Sequence, residues 1–338
     1  MNKSNIICAV TSAALLAALA ASARDPVAPN EIINSFTETF DVQREPLLKN
    51  RNRICATGEF TGTSVASALS RSAMFTQDSV PVVARFSAIR GNPNSRNSRE
   101  MELEFRMPAG SLQHMAMLNT PLFGTSAPAT FAQMIVAAKP DPNTGSPDLG
   151  TLRALLAEHP GAFAQSNFVT AIDAPSSYAS SAYFSIHTFR FIDAEGRTRF
   201  VRWRFLPQDQ PTTMSAEPGC TGQDALEERL IKRLASSPVR WDMIVYLGEP
   251  ADTTDNPSSP WPQERRHLKV GTLTITQAVP ESAAACAKTN FDPLIVADGI
   301  APADDPVLLF RSPTYGLTFT QILAQSLAPV HAIPVVGR

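Results

Sequence analysis

The sequence has almost no excess charge of either sign. Its 29 lysines and arginines stand against 31 aspartates and glutamates, so the formal net charge at pH 7 is only −2. Proteins that bind nucleic acid usually carry an excess of basic side chains, because contacts to phosphate supply much of the affinity. The balance therefore argues against nucleic acid as a partner.

The short motifs of the commonest hydrolases and nucleotide-binding proteins are also missing. The sequence contains no GxxxxGK[ST] phosphate loop, no HExxH metal helix and no GxSxG nucleophile elbow. It has only four cysteines, and their spacing fits neither a CxxC pair nor a zinc site. These absences remove the usual support for nucleotide-dependent, zinc-dependent or serine-hydrolase chemistry.

A long apolar run occurs only at the start of the chain. Lys3 precedes the apolar stretch from Ile6 to Ala20, and Ala21-Ser22-Ala23 is a small-x-small cleavage site. The run is too short to span a bilayer comfortably, and no later segment approaches that length. We therefore predict a secretory signal over residues 1–23 and a periplasmic protein without a membrane span.

Three cysteines lie beyond this signal. Cys220 and Cys286 both stand in polar, loop-like sequence and could pair in an oxidising compartment. Cys55 stands in an apolar, strand-like run and would then remain a buried thiol. The pairing is inferred from local context alone and stays open.

Alternation of apolar and polar residues predicts a domain rich in β-strands. The pattern has the two-residue period of a strand and is bounded by Gly, Pro, Asn or Asp. The predicted strands are residues 53–60, 81–89, 101–108, about 115–123, 183–193, 198–207, 240–248 and 268–277. About eight antiparallel strands predict a closed barrel or a sandwich.

Helical periodicity appears between and after these strands. Residues 148–157 and 226–234 repeat apolar side chains at helix spacing, and a further helix is predicted with Ser312 as its N-cap and Pro313 as its first residue. We predict a single domain over residues 24–338, with its core between about residues 30 and 327.

Arg311 and Tyr315 stand four residues apart near the predicted C-terminal helix. Residues with this spacing share one face of a helix, so the guanidinium can approach the phenol oxygen. A fixed positive charge at that distance favours the phenolate by roughly one to three pKa units, which prepares a tyrosine to bind Fe(III). In isolation, such a pair is more often a surface arginine beside a half-buried tyrosine.

Several runs in the chain carry a resemblance to a known family. They are Val82-Val83-Ala84-Arg85-Phe86-Ser87, Ser185-Ile186-His187-Thr188-Phe189, Val201-Arg202-Trp203-Arg204-Phe205, Phe291-Asp292-Pro293-Leu294 and Asp305 to Tyr315. Their order and spacing resemble the haem catalases, in particular the short bacterial catalase-related peroxidases. The resemblance implies an α+β fold: an eight-stranded antiparallel β-barrel with surrounding helices, and a C-terminal helix carrying the ligand of a b-type haem.

The resemblance also implies roles for individual residues. Tyr315 corresponds to the iron ligand and Arg311 to the group that stabilises its phenolate. Arg85 corresponds to a partner of a haem propionate, for which guanidinium geometry is well suited. Phe131 would pack on a face of the haem, and Ser87 would line its distal side.

His187 matches a histidine of the barrel. For this residue a structural hydrogen bond is at least as good an interpretation as a chemical role.

The distal side departs from the family pattern. Asn50 stands where the family has its essential histidine, and the first histidine in the chain is His114. His114 could substitute, but a lone histidine among apolar residues is usually structural. Leu118 occupies the place of the family's distal asparagine, and Asn119, one residue later, would point the other way unless the strand register slips or a bulge intervenes.

The resemblance implies peroxidase activity on hydrogen peroxide or organic peroxides, with disproportionation impaired because asparagine cannot shuttle a proton. Two alternatives stay open: a haem-binding protein without peroxide chemistry, such as a carrier, sensor or scaffold, and a barrel that binds another apolar ligand. The sequence identifies neither the electron donor nor whether the protein is a monomer or a homo-oligomer.

Overall fold

The computed structural model describes residues 28–31, 34, 51–89, 99–137, 141, 148–173, 175–213, 225–281 and 284–327. The strands within these stretches are β1 (Arg51–Gly62), β2 (Val80–Ile89), β3 (Arg99–Arg106), β4 (Leu112–Leu118), β5 (Tyr183–Phe184), β6 (Phe189–Ile192), β7 (Thr198–Pro207), β8 (Val239–Leu247), β9 (His267–Pro280) and β10 (Ile300–Pro302). The helices are α1 (Ser64–Leu69), α2 (Ala73–Thr76), α3 (Pro128–Ala137), α4 (Leu149–Glu158), α5 (Pro160–Ala171), α6 (Ala225–Leu234) and α7 (Pro306–Leu327).

The strands close into an antiparallel barrel. β1 pairs with β2, β2 with β3, β3 with β4, β4 with β5, and the circle returns through β7, β8 and β9 to β1. β5 and β6 pair in turn with β7, so they form one barrel strand interrupted at residues 185–188. The short strand β10 pairs antiparallel with the other edge of β6. The predicted eight-stranded barrel of an α+β fold is confirmed.

Side-chain alternation along β3 separates the inside of the barrel from a second buried layer outside it. Met101, Leu103 and Phe105 are fully buried in the barrel core, as expected for the apolar face of an amphipathic strand. Glu102 and Glu104 on the opposite face are also buried, with 5% and 7% of their surface exposed. Burying carboxylates is unfavourable unless each one has a partner, so this outer face marks a site of interest.

The helices lie outside the barrel. α1 and α6 pack on β9, while α3, α4 and α5 contact one another in sequence, and α3 also contacts α7. In the part of the chain that the structure describes, none of the helices combines the length and the apolar character that a membrane crossing needs.

Helix α7 begins earlier than predicted. Its first residue is Pro306, and the carboxylate of Asp305 accepts hydrogen bonds from two backbone N–H groups of the first turn. The prediction that Ser312 caps the helix is therefore wrong, and Pro313 lies in its interior. A capping residue followed by proline occurs twice here, seven residues apart, and the earlier pair starts the helix. As a result, Tyr315 belongs to the third turn of a long helix.

A disulfide joins Cys55 of β1 to Cys286, which lies after β9. Their Cα atoms are 5.8 Å apart, although 231 positions separate them in sequence. The predicted pairing of Cys286 with Cys220 and the free thiol at Cys55 are therefore wrong; Cys220 itself lies outside the described residues. Local sequence around Cys286 is polar, but a short 3-10 helix over Ala285–Lys288 packs against the barrel and buries its sulfur.

Removing this disulfide is expected to lower the free energy of unfolding by about 2–5 kcal/mol, because the cross-link restricts a very long loop of the unfolded chain. The double variant Cys55→Ala/Cys286→Ala, compared with the wild type by urea denaturation, measures the loss. Reductant should destabilise the wild type and leave the double variant unchanged. Equal stability of the two oxidised proteins would contradict the pairing.

Candidate functional site

The site is organised around the phenol of Tyr315 on α7. The Nη2 group of Arg311, one turn earlier, donates a hydrogen bond to the phenol oxygen at 2.8 Å. The two side chains therefore meet as their four-residue spacing on a helix predicts. A guanidinium held at this distance can stabilise a phenolate once a metal binds the oxygen.

Behind Arg311, two buried residues hold the guanidinium in place. Its Nη1 lies 3.1 Å from Nε2 of His187, and Nδ1 of His187 lies 2.6 Å from a carboxylate oxygen of Asp305. Burial lowers the pKa of His187 to about 4, although Asp305 acts in the opposite direction. The imidazole is therefore neutral at pH 7, donating from Nδ1 to Asp305 and accepting from Arg311 at Nε2.

Asp305 is a site residue that its local sequence does not predict. Asp305 opens the run that ends at Tyr315, but its partner His187 lies 118 positions away. For His187 itself, the structure shows a hydrogen-bonding position behind Arg311 rather than a contact with the phenol. The only signal in the sequence was the presence of both residues in the runs that carry the family resemblance.

On the barrel side, the carboxylate of Glu102 faces the same phenol. The Tyr315 hydroxyl donates to one oxygen of Glu102 at 3.3 Å, and Nε of Arg85 donates to the other at 2.5 Å. Arg85 also donates to Glu281 at 3.3 Å, and its guanidinium carbon lies 4.6 Å from the ring centre of Phe291. Glu102 thus bridges the predicted iron ligand and the predicted propionate partner.

Desolvation raises the pKa of Tyr315 above its usual value of 10. Arg311 lowers this pKa, as the sequence analysis expected, but the charges of Glu102 and Glu100 act together with the desolvation. The phenol is therefore neutral at pH 7 in this structure. Because a bound cation strongly favours the phenolate, ionisation would accompany metal binding.

Ser87 lies close to this cluster on the neighbouring strand β2. Its hydroxyl donates to a carboxylate oxygen of Glu100 at 2.7 Å. Ser87 is almost completely buried, with 1% of its surface exposed. The structure therefore places Ser87 on the outer face of the barrel, beside Glu100.

Asn119 is not part of the cluster around Tyr315. Its side-chain oxygen accepts a hydrogen bond from the backbone N–H of Arg99 at 2.8 Å, directly after the end of β4. β3 and β4 pair in one continuous register, with Glu100 opposite Leu118. The bulge or slip that would bring Asn119 to the place of Leu118 is therefore absent from this strand pair, all of which is described.

The remaining predicted residues lie apart from the phenol. Phe131 is on α3, where its ring packs at 5.3 Å from that of Phe123. His114 lies with Nε2 at 3.1 Å from Glu104, and this hydrogen bond is the main cause of a lowered pKa of Glu104. His114 is thus engaged with Glu104, two residues from Glu102 along β3. Asn50 lies outside the described residues, so its distal position stays a prediction.

Comparison with known proteins gives a consistent family. A family model described as Catalase matches residues 47–332. A catalase-related peroxidase of Synechococcus elongatus is 42% identical over 303 residues, which cover 87% of this chain and 88% of that protein. A catalase-related peroxidase of Mycolicibacterium paratuberculosis is 36% identical over 267 residues, covering 76% of this chain and 83% of the relative.

Solved structures agree at the level of the fold. A fungal catalase superimposes with a TM-score of 0.72 at 19% identity, covering 87% of this chain and 63% of that one. Catalase A from Saccharomyces cerevisiae gives the same score and identity, with 86% and 64% covered. The chain therefore spans a little under two thirds of the length of these catalases and shares their barrel fold.

Proposed function

The chain belongs to the catalase family, and we propose that it reduces hydrogen peroxide or organic peroxides with a b-type haem bound through Tyr315. Its relatives support an oxidoreductase of the haem catalase and peroxidase type. The observation that carries the proposal is the 2.8 Å hydrogen bond from Arg311 to the phenol oxygen of Tyr315.

The chemistry of these side chains fits a haem. A tyrosine oxygen is one of the axial ligands that proteins use for haem iron, and a guanidinium beside it favours the anionic form. Arg85 supplies a guanidinium suited to a propionate, and it contacts the same carboxylate, Glu102, as Tyr315 does. When bound, the haem supplies the oxidising chemistry that peroxide requires, which no side chain can provide.

The protein's own contribution on the helix side is to orient the ligand. Asp305 fixes the imidazole of His187, and His187 in turn accepts a hydrogen bond from Arg311. Because His187 is neutral, it neither repels nor neutralises the guanidinium of Arg311. The Nη2 group of Arg311 remains hydrogen-bonded to the phenol oxygen. The arrangement keeps one positive charge beside the ligand oxygen.

Proton transfer to and from peroxide is the step for which this chain lacks the family's usual residue. Splitting the O–O bond of peroxide needs a group that takes a proton from one oxygen and returns it to the other, and a histidine does this near pH 7. This chain has Asn50 at that position of the family pattern. An amide can form hydrogen bonds with peroxide but cannot carry its proton, so we propose a slow peroxidase with little catalatic activity.

The haem-loaded protein is expected to release oxygen from hydrogen peroxide about 10²- to 10⁴-fold more slowly than catalases do, because that is the usual contribution of a general acid–base. An oxygen electrode measures this rate, and oxidation of an artificial electron donor measures peroxidase activity. Free haem at the same concentration serves as the control. Oxygen release at a rate normal for catalases would contradict the proposal.

A second candidate is a haem-binding protein without peroxide chemistry. The residue Asn50 favours it, because a chain with asparagine in place of the family's distal histidine keeps the residues for the haem ligand and lacks the proton carrier for peroxide. The same assays separate the two functions: a carrier or sensor should oxidise the electron donor no faster than free haem does, and the peroxidase should exceed that background.

We also propose that the protein is exported to the periplasm. The apolar N-terminal stretch with its small-x-small site supports this location, although residues 1–23 lie outside the described part of the chain. The disulfide between Cys55 and Cys286 gives independent support, because such bonds persist mainly in oxidising compartments.

A further inference from the structure

One carboxylate engages both groups that the proposed haem needs. Glu102 accepts a hydrogen bond from the phenol of Tyr315 through one oxygen and from Arg85 through the other. Only 5% of Glu102 is exposed, so the contact is an internal one rather than a loose surface interaction. The iron ligand and the propionate partner are therefore both occupied by the protein itself.

The contact with Glu102 is incompatible with a metal on the phenol oxygen. The Tyr315 hydroxyl donates its proton to Glu102 across 3.3 Å, whereas a tyrosine oxygen bound to Fe(III) is a phenolate that has lost this proton. Two anionic oxygens would then face each other at that distance without a hydrogen bond between them. Haem binding through Tyr315 thus favours withdrawal of the carboxylate.

The charges around Arg85 also disfavour haem binding while Glu102 stays in this position. Arg85 already has two anionic partners, Glu102 at 2.5 Å and Glu281 at 3.3 Å. A propionate at the same guanidinium would be a third anion beside these two carboxylates, and repulsion between like charges favours the release of one of them. Of the two, Glu102 is the one that also contacts Tyr315, so a single displacement frees both haem-binding groups.

We propose that Glu102 competes with haem for Tyr315 and Arg85 and thereby sets the haem affinity of this protein. The inference rests on the proposed function, because it presumes that Tyr315 is the iron ligand. Withdrawal of Glu102 exchanges two charge-assisted hydrogen bonds for contacts to the haem, and such bonds are strong enough to shift a binding constant by tenfold or more. Glu102 acts here as an internal competitor of the haem, through its contacts with Tyr315 and Arg85.

Neighbouring carboxylates on the same strand face have different partners. Glu104 is bound to His114 at 3.1 Å and to Arg106 at 2.7 Å. These contacts lie along β3 away from Tyr315, so Glu104 provides a matched control: the same residue type, the same strand and the same face.

The test is a titration of haem-free, full-length protein with ferric haem, followed by the absorption spectrum. Glu102→Ala is expected to bind haem at least about tenfold more tightly than the wild type. Glu104→Ala should bind like the wild type. An unchanged or weaker affinity of Glu102→Ala, with haem still bound through Tyr315, would overturn the role of Glu102.

Two further variants make the outcome unambiguous. Glu102→Gln keeps the size of the side chain and removes its charge, so it should also bind more tightly even if the alanine variant folds poorly; Arg85 retains Glu281 as a partner in both. Tyr315→Phe tests the proposed function separately. Loss of binding in Tyr315→Phe with no gain in either Glu102 variant rejects the competition alone, whereas equal binding in Tyr315→Phe and wild type rejects the haem site.

Discussion

Replacement of Tyr315 by phenylalanine is expected to weaken haem binding by more than about a hundredfold. Changes to residues that merely support a metal ligand often reduce affinity 10- to 100-fold, so loss of the ligand oxygen itself should have a larger effect. Phenylalanine preserves the ring that packs against Cys55, Val83, Cys286 and Phe291. The fold should therefore survive, and the loss can be attributed to the phenol oxygen.

Haem content per chain after saturation, read from the absorption spectrum, measures this effect. Tyr246→Phe is the matched control, because Tyr246 stacks on His267 at 5.0 Å on β8 and has no contact with α7 among those described. This control should bind haem as the wild type does. Full haem binding in Tyr315→Phe would show that the iron ligand lies elsewhere.

The second large effect is expected from Asn50→His. A histidine at this position would supply the proton carrier that the chain lacks, so peroxide turnover should rise by at least about tenfold, towards the 10²–10⁴ that a general acid–base contributes. Steady-state peroxide consumption by haem-loaded proteins measures the gain. Asn50→Gln is the control, because it retains the amide and should stay at the wild-type rate.

A failure of Asn50→His to exceed Asn50→Gln would have a clear meaning. It would show that Asn50 does not occupy the distal position, because a histidine there would supply the missing proton carrier. The rise in peroxide turnover should also depend on Tyr315. Without this iron ligand the haem is not held in the site, and a histidine alone does not turn over peroxide.

The barrel could be predicted from the sequence because its strands alternate sharply. In β3 the inward residues Met101, Leu103 and Phe105 and the outward glutamates define both the element and its faces without any long-range information. The interruption of a barrel strand was harder to predict. Residues 183–193 formed one predicted strand, yet the chain leaves the ladder at 185–188, where Ser185 bonds the carbonyl of His187 locally.

Site residues divide in the same way between local and distant partners. The contact of Arg311 with Tyr315 follows from the geometry of one helical turn, so spacing alone predicted it. The contacts of Glu102 with Tyr315 and of Cys55 with Cys286 join positions 213 and 231 residues apart. Such pairs depend on how helix α7 and the segment after β9 pack on the barrel, which no local pattern specifies.

The burial of the outward glutamates of β3 could not be predicted from the sequence either. Alternation alone placed them on the polar face of β3, where carboxylates are normally solvated and need no explanation. Their burial accompanies contacts with other elements: Tyr315 of α7 contacts Glu102, and His114 of β4 contacts Glu104. The helix side of the site thus follows the family pattern, while the barrel side carries acidic groups that the sequence alone gave no reason to place against the phenol.

The absorption spectrum of the purified protein during titration with ferric haem tests the proposed haem site most directly. We expect saturation at one haem per chain, with the spectrum of phenolate-bound ferric iron, and loss of that spectrum in Tyr315→Phe. A spectrum that remains the sum of free haem and protein at every ratio would contradict it.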